Sequence, residues 1–91
     1  MMNHDMQTIK VNLEDTSPDY ALANQLAGNI ASVILSDPML IAWYDGINKQ
    51  EHPFVPECQH KPGWLAYAEG HDGRIRIDIN QNFSFIFTDI D

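Results

Sequence analysis

Residues 64–88, Trp64-Leu-Ala-Tyr-Ala-Glu-Gly-His-Asp-Gly-Arg-Ile-Arg-Ile-Asp-Ile-Asn-Gln-Asn-Phe-Ser-Phe-Ile-Phe-Thr88, carry the strongest fold signal in the chain. Apolar and polar residues alternate from Ile75 to Ile79, and Phe83, Phe85 and Phe87 recur at every second position, the period of strands. Asn80-Gln81-Asn82 reads as a three-residue turn, which sets Ile79 opposite Phe83, Ile77 opposite Phe85 and Ile75 opposite Phe87. Asp72-Gly73 is a type I′ hairpin signal and makes residues 64–69 a further strand, with Ala68 opposite Ile77 and Ala66 opposite Ile79. One face of this meander then holds Trp64, Ala66, Ala68, the three isoleucines and the three phenylalanines. Its reverse carries Leu65, Tyr67, Glu69, Arg74, Arg76, Asp78, Ser84, Ile86 and Thr88, with Glu69 opposite Arg76 and Tyr67 opposite Asp78. A three-residue turn at 71–73 would flip the faces of residues 64–69.

Upstream, residues 46–62 form a loop of 17 residues stiffened by Pro53, Pro56 and Pro62, longer than structureless loops usually run. Met39 to Tyr44 has no polar residue on either side and reads as a strand buried on both faces, central in its sheet. Before it, Ser17 as cap and Pro18 at the first helical position open a helix. Leu22, Leu26, Ile30 and Val33 make its apolar stripe, Ala23, Ala27 and Ile34 flank it, and Pro38 ends it. Leu26 and Ile30 are expected to meet the isoleucine–phenylalanine ladder. Met6 to Leu13 alternates as a first strand, and strand–helix–strand sets the first two strands parallel. Residues 1–5 read as a frayed tail.

The expected architecture is α+β over residues 1–91 as a single domain: one helix packed on a mixed, mostly antiparallel five-stranded sheet, in the order β-α-β-β-β-β. Ninety-one residues with 44% hydrophobic content can bury a sufficient core without disulfides. Five Lys and Arg against thirteen Asp and Glu give a net charge of −8, which argues against binding nucleic acid or anionic lipid. A single cysteine favours a reducing, cytoplasmic setting, and no apolar run approaches the ~20 residues needed to span a bilayer.

Leu40-Ile-Ala-Trp-Tyr-Asp45, Glu57-Cys58, Pro62-Gly-Trp64 and Ile77-Asp-Ile79, in that order, resemble an uncharacterised family of small domains from bacteria and archaea, many of them anaerobes. The resemblance covers residues 17 to 88. It implies an α+β domain and assigns no catalytic residues.

Two readings of function remain. One is a non-enzymatic binding or self-association module using the sheet face opposite the helix together with the 46–62 loop. A single helix covers only one face, so Leu65, Tyr67, Glu69, Arg74, Arg76 and Ile86 become candidate interface residues of a homodimer, unless the loop folds back over them. The other is a metal- or thiol-dependent site built from Asp45, His52, Glu57, Cys58 and His60, whose carboxylate, thiolate and imidazole groups suit a metal ion such as zinc or iron. The bland reading of that cluster is a packed cysteine with solvated histidines, and the module reading therefore uses no cofactor. No glycine-rich phosphate loop, pair of catalytic acids or serine triad can be assigned.

Overall fold

A computed structural model describes residues 6–56 and 60–91. Its elements in chain order are β1 (Gln7–Val11), α1 (Tyr20–Ile34), β2 (Pro38–Asp45), β3 (Gln50–His52), α2 (Gly63–Gly70), β4 (Ile75–Ile79) and β5 (Phe83–Asp89). The strands form one sheet in the spatial order β1-β4-β5-β2-β3, parallel between β1 and β4 and antiparallel at every other pairing. The fold is thus α+β on a mixed, mostly antiparallel five-stranded sheet. The order strand, helix, four strands holds, with a second short helix inserted before the last two strands. The tail expected over residues 1–5 lies outside the described residues.

The β4–β5 hairpin has the register read from sequence, Ile79 opposite Phe83, Ile77 opposite Phe85 and Ile75 opposite Phe87. Its turn places Asn80 and Gln81 at positive φ, where asparagine is tolerated better than most residues. Asn80 also fastens β1 to this turn. Its backbone N–H donates to the Val11 carbonyl at 2.8 Å, its Oδ1 accepts from the Leu13 N–H at 2.6 Å, and its Nδ2 donates to the carbonyls of Leu13 and Thr16.

β1 and β2 run in the same direction, as the strand–helix–strand order implied, but β4 and β5 lie between them. The central strand is therefore β5, which is buried along Phe83–Thr88. β2 is one place from the edge, and of its residues only Ala42 and Asp45 are buried. Its apolar run without alternation reflects a different cause, a register shift between Leu40 and Ala42 that turns neighbouring residues onto both faces.

α1 lies across the isoleucine–phenylalanine ladder. It begins two residues later than expected from Pro18: Asp19, not Ser17, is the cap, and its carboxylate accepts the Leu22 N–H at 2.9 Å. The buried stripe is Ala23, Ala27 and Ala31, with Leu26 and Ile30 packed beside it. Leu22 is 44% exposed and Val33 85% exposed. The alanines lead because a helix crossing large Ile and Phe side chains needs small residues along its line of closest approach. Three substitutions separate this packing from the leucine-centred stripe. Ala27→Leu should destabilise by about 1–3 kcal/mol through overpacking. Leu26→Ala, from a half-buried position, should cost about 1–2.5 kcal/mol, toward the low end of core truncations. Leu22→Ala should stay within about 0.5 kcal/mol. Urea midpoints would read the order directly, and a Leu22→Ala effect as large as that of Ala27→Leu would contradict it.

Residues 64–69 are helix, not strand, and they lie on the face opposite α1. Gly63-Trp-Leu-Ala-Tyr-Ala-Glu-Gly70 contains no β-branched residue and is rich in strong helix formers. Trp64 and Ala68, one turn apart, face the sheet and pack on Ala42 and Ile86. The pairings of Ala66 and Ala68 with the isoleucines, of Glu69 with Arg76 and of Tyr67 with Asp78 are accordingly absent. Glu69 instead pairs with Lys61, Oε1 to Nζ 2.6 Å, and Tyr67 stacks on His71. Asp72-Gly73 ends the helix rather than turning a hairpin. Asp72 takes the left-handed φ of 64°, and the Gly73 N–H returns to the Ala68 carbonyl at 2.9 Å. Gly73 is needed for close approach, since a Cβ there would lie 2.9 Å from an Ile86 methyl and 3.0 Å from the Ala68 carbonyl oxygen.

The long loop is shorter than it reads. β3 pairs back on β2, with Asp45 opposite Gln50 and Trp43 opposite His52.

Candidate binding cleft

The reverse face of the sheet is divided in two. α2 closes the part over β2 and β5, where Ala42 and Ile86 are fully buried. Beyond Trp64 the face stays open, and Lys10, Asn12, Arg76, Asp78, Gln81 and Ser84 line a cleft of about 220 Å³. Strand alternation puts Arg76 and Asp78 on this side because Ile75, Ile77 and Ile79 occupy the other. Lys10 lies directly beside Asp78 in the parallel β1–β4 pair, and Ser84 directly beside it in the antiparallel β4–β5 pair.

Arg76 is the fixed point of the cleft. Its Nε donates to Asp78 Oδ1 at 2.9 Å and its Nη2 to Ser84 Oγ at 3.4 Å, while the Ser84 hydroxyl donates to the same Asp78 oxygen at 2.8 Å. The guanidinium lies over the Trp64 ring, 5.4 Å from its centre, a cation–π arrangement. Trp64 is itself stacked on Tyr44, with ring centres 5.6 Å apart and planes within 9°. Carboxylate, hydroxyl and indole thus set the guanidinium plane from three sides. The side chains of Arg76 and Asp78 remain 29% and 16% exposed, so the pair is open to a ligand.

The residues expected to form a metal or thiol site do not make this cleft. Asp45 is 2% exposed and is occupied within its own turn: Oδ1 accepts from the N–H groups of Ile47 and Asn48, and Oδ2 from Asn48 Nδ2 at 2.9 Å. Burial alone would raise its pKa, but the hydrogen bonds from Asn48 and Ile47 outweigh burial and hold it below the ordinary carboxylate value. Burial, then the Asp45 charge, raise the pKa of Tyr20. The His52 ring stacks on Trp43 at 6.2 Å. His60 is exposed at a positive φ of 69°. Glu57 and Cys58 lie outside the described residues. Among the described residues, no three His, Cys, Asp or Glu side chains gather as they would around a metal ion.

Of the interface candidates, only Arg76 belongs to the cleft. Ile86 is buried beneath α2, Leu65 and Tyr67 are half-buried on that helix, and Glu69 and Arg74 are exposed. Residues 63–70 cover the part of this face over Ala42 and Ile86. Sequence reasoning placed Arg76, Asp78 and Ser84 on one face but missed Gln81 in the β4–β5 turn, and Lys10 and Asn12, whose arrival depends on the β1–β4 pairing. No helix among the described residues is long and apolar enough to cross a membrane.

The chain belongs to the family described as a domain of unknown function, DUF5619, which it matches over residues 6–87. Its fold is similar to the crystal structure of AF1514 from Archeoglobus fulgidus DSM 4304. The two are 34% identical over 91% of this chain and 93% of that one, with a TM-score of 0.78. No curated protein matches the chain.

Proposed function

We propose that this domain is a non-enzymatic binding module whose site is the cleft between β1, β4 and the β4–β5 turn. The observation that carries this reading is Arg76, held by Asp78, Ser84 and Trp64 in an open cleft. A guanidinium fixed before its ligand arrives loses little side-chain freedom on binding. The cleft, at about 220 Å³, is smaller than the ~300–1,000 Å³ of pockets for drug-sized ligands, so its ligand is a small polar molecule or a single side chain. The lone cysteine is consistent with a reducing, cytoplasmic setting. The two-fold dimer has lost its motive, because α2 already covers Ile86 and Ala42 within one chain. Light scattering on the isolated chain should therefore give about 10.4 kDa.

Saturation-transfer NMR with a chemically mixed fragment library tests the reading. Small polar fragments should give signals with the native protein and lose them with Asn12→Trp, where an exposed rim residue becomes large enough to fill the cleft. Equal signals from both proteins would refute it.

A further inference from the structure

We propose that the ligand of this cleft carries an oxyanion, a carboxylate or a phosphate, received by Lys10 and Arg76; this rests on reading the cleft as a binding site. The first argument is charge. Lys10 and Arg76 are two of the five cations in a chain of net charge −8, and Asp78 is the one acid lining the cleft with them. The cleft is therefore locally positive on a molecule whose overall field repels anions, so an anion held there is held by local contacts.

The second argument is geometric. Asp78 uses a single oxygen, Oδ1, for both Arg76 Nε and Ser84 Oγ. That contact orients the guanidinium from its Nε side; its terminal edge keeps the long Nη2–Ser84 Oγ contact of 3.4 Å and has no carboxylate partner among the described residues. Lys10 is exposed, sits diagonally from Arg76 across the β1–β4 pair, and makes no salt bridge among the described residues. Planar guanidinium donors next to an ammonium match an oxyanion, which accepts two parallel N–H bonds from arginine and a point charge from lysine. A cationic ligand would face two like charges here. The Asn12 and Gln81 amides at the rim can read the uncharged remainder of the molecule.

The experiment is a titration of native protein with acetate and, separately, with inorganic phosphate, followed by the backbone amides of β1 and β4 and the Arg76 Nε–H resonance. Saturable shifts at Lys10, Arg76 and Asp78 are expected in the millimolar range for such bare ions, and the tighter of the two names the class of oxyanion. Lys10→Gln should weaken the tighter ion about fivefold to tenfold, with no change in unfolding midpoint, because Lys10 is exposed and outside the ion pairs among the described residues. Arg76→Lys keeps the charge but loses the fork, and should weaken it by about tenfold or more. Absence of saturable shifts at tens of millimolar, or shifts unchanged in both variants, would overturn the inference. If neutral fragments bind the cleft while both ions fail, the oxyanion assignment falls and the binding reading stands. If fragments fail as well, both fall.

Discussion

Trp64→Ala is expected to destabilise the protein by about 3–5 kcal/mol, the range for truncating a buried aromatic. Trp64 is 5% exposed, and it joins three parts of the structure: it packs α2 on Ala42 and Ile86, stacks on Tyr44 and lies under Arg76. Against a total stability of about 5–15 kcal/mol for a small domain, such a loss would leave the chain marginal. At about 4–8 °C per kcal/mol for a domain of this size, the melting temperature should fall by well over 10 °C. Trp64→Phe, which keeps a ring on Tyr44 and the sheet, should cost less than half as much. It is also the variant in which to measure the cleft, because it folds while offering Arg76 a weaker cation–π partner. A Trp64→Ala cost below about 1 kcal/mol, the size of an ordinary surface change, would mean that α2 does not cover the sheet.

Asp45→Ala should cost about 2–3 kcal/mol, because it leaves the Ile47 and Asn48 N–H groups and the Asn48 amide without their shared acceptor. Water reaches the exposed Ile47 and Asn48 and recovers part of the loss. Asp45→Asn retains one acceptor oxygen and should cost less. The same carboxylate gives the protein an acid dependence of definite sign. Its folded pKa lies below the unfolded value of about 3.9. The stability it contributes is complete above that unfolded value and is lost as pH falls through the folded one. Asp89 acts in the same direction. Its pKa is lowered first by the Asp91 N–H, against the opposing effect of burial, and further by the N–H groups of Asp37 and Ser36 and by the Arg74 charge. Urea unfolding from pH 7 down to pH 2 should show stability flat above about pH 5 and declining below pH 4. The decline should be shallower in Asp45→Asn. An identical acid slope in that variant would remove Asp45 as its cause.

The parts of the fold that could be read from sequence are those where two local signals agree. From Ile75 to Phe87 the alternation and the Asn80-Gln81-Asn82 turn demand the same register, and the hairpin adopts it. Residues 63–70 carry conflicting signals. Trp64, Ala66 and Ala68 satisfy a period of two, and Trp64 and Ala68 equally satisfy one helical turn; in eight residues periodicity cannot choose. Composition could have chosen, since Ala, Leu and Glu dominate and no Val, Ile or Thr is present. The buried helix stripe lies one residue beyond Leu22, Leu26 and Ile30 because the sheet surface demands small residues at closest approach. Half of the cleft was legible in the same way, as the polar side of the β4–β5 hairpin. Lys10 and Asn12 were not, because they reach it through a parallel pairing with residues almost seventy positions away, which no local pattern announces.

The most direct test of the binding account is a map of backbone amide shifts as the tightest fragment is added to native protein. The expected result is one contiguous set of perturbed amides at residues 8–12, 76–84 and the start of α2 at Trp64, with the α1 face and β3 silent. Perturbations centred on α1 or around His52, with β1 and β4 unmoved, would contradict it.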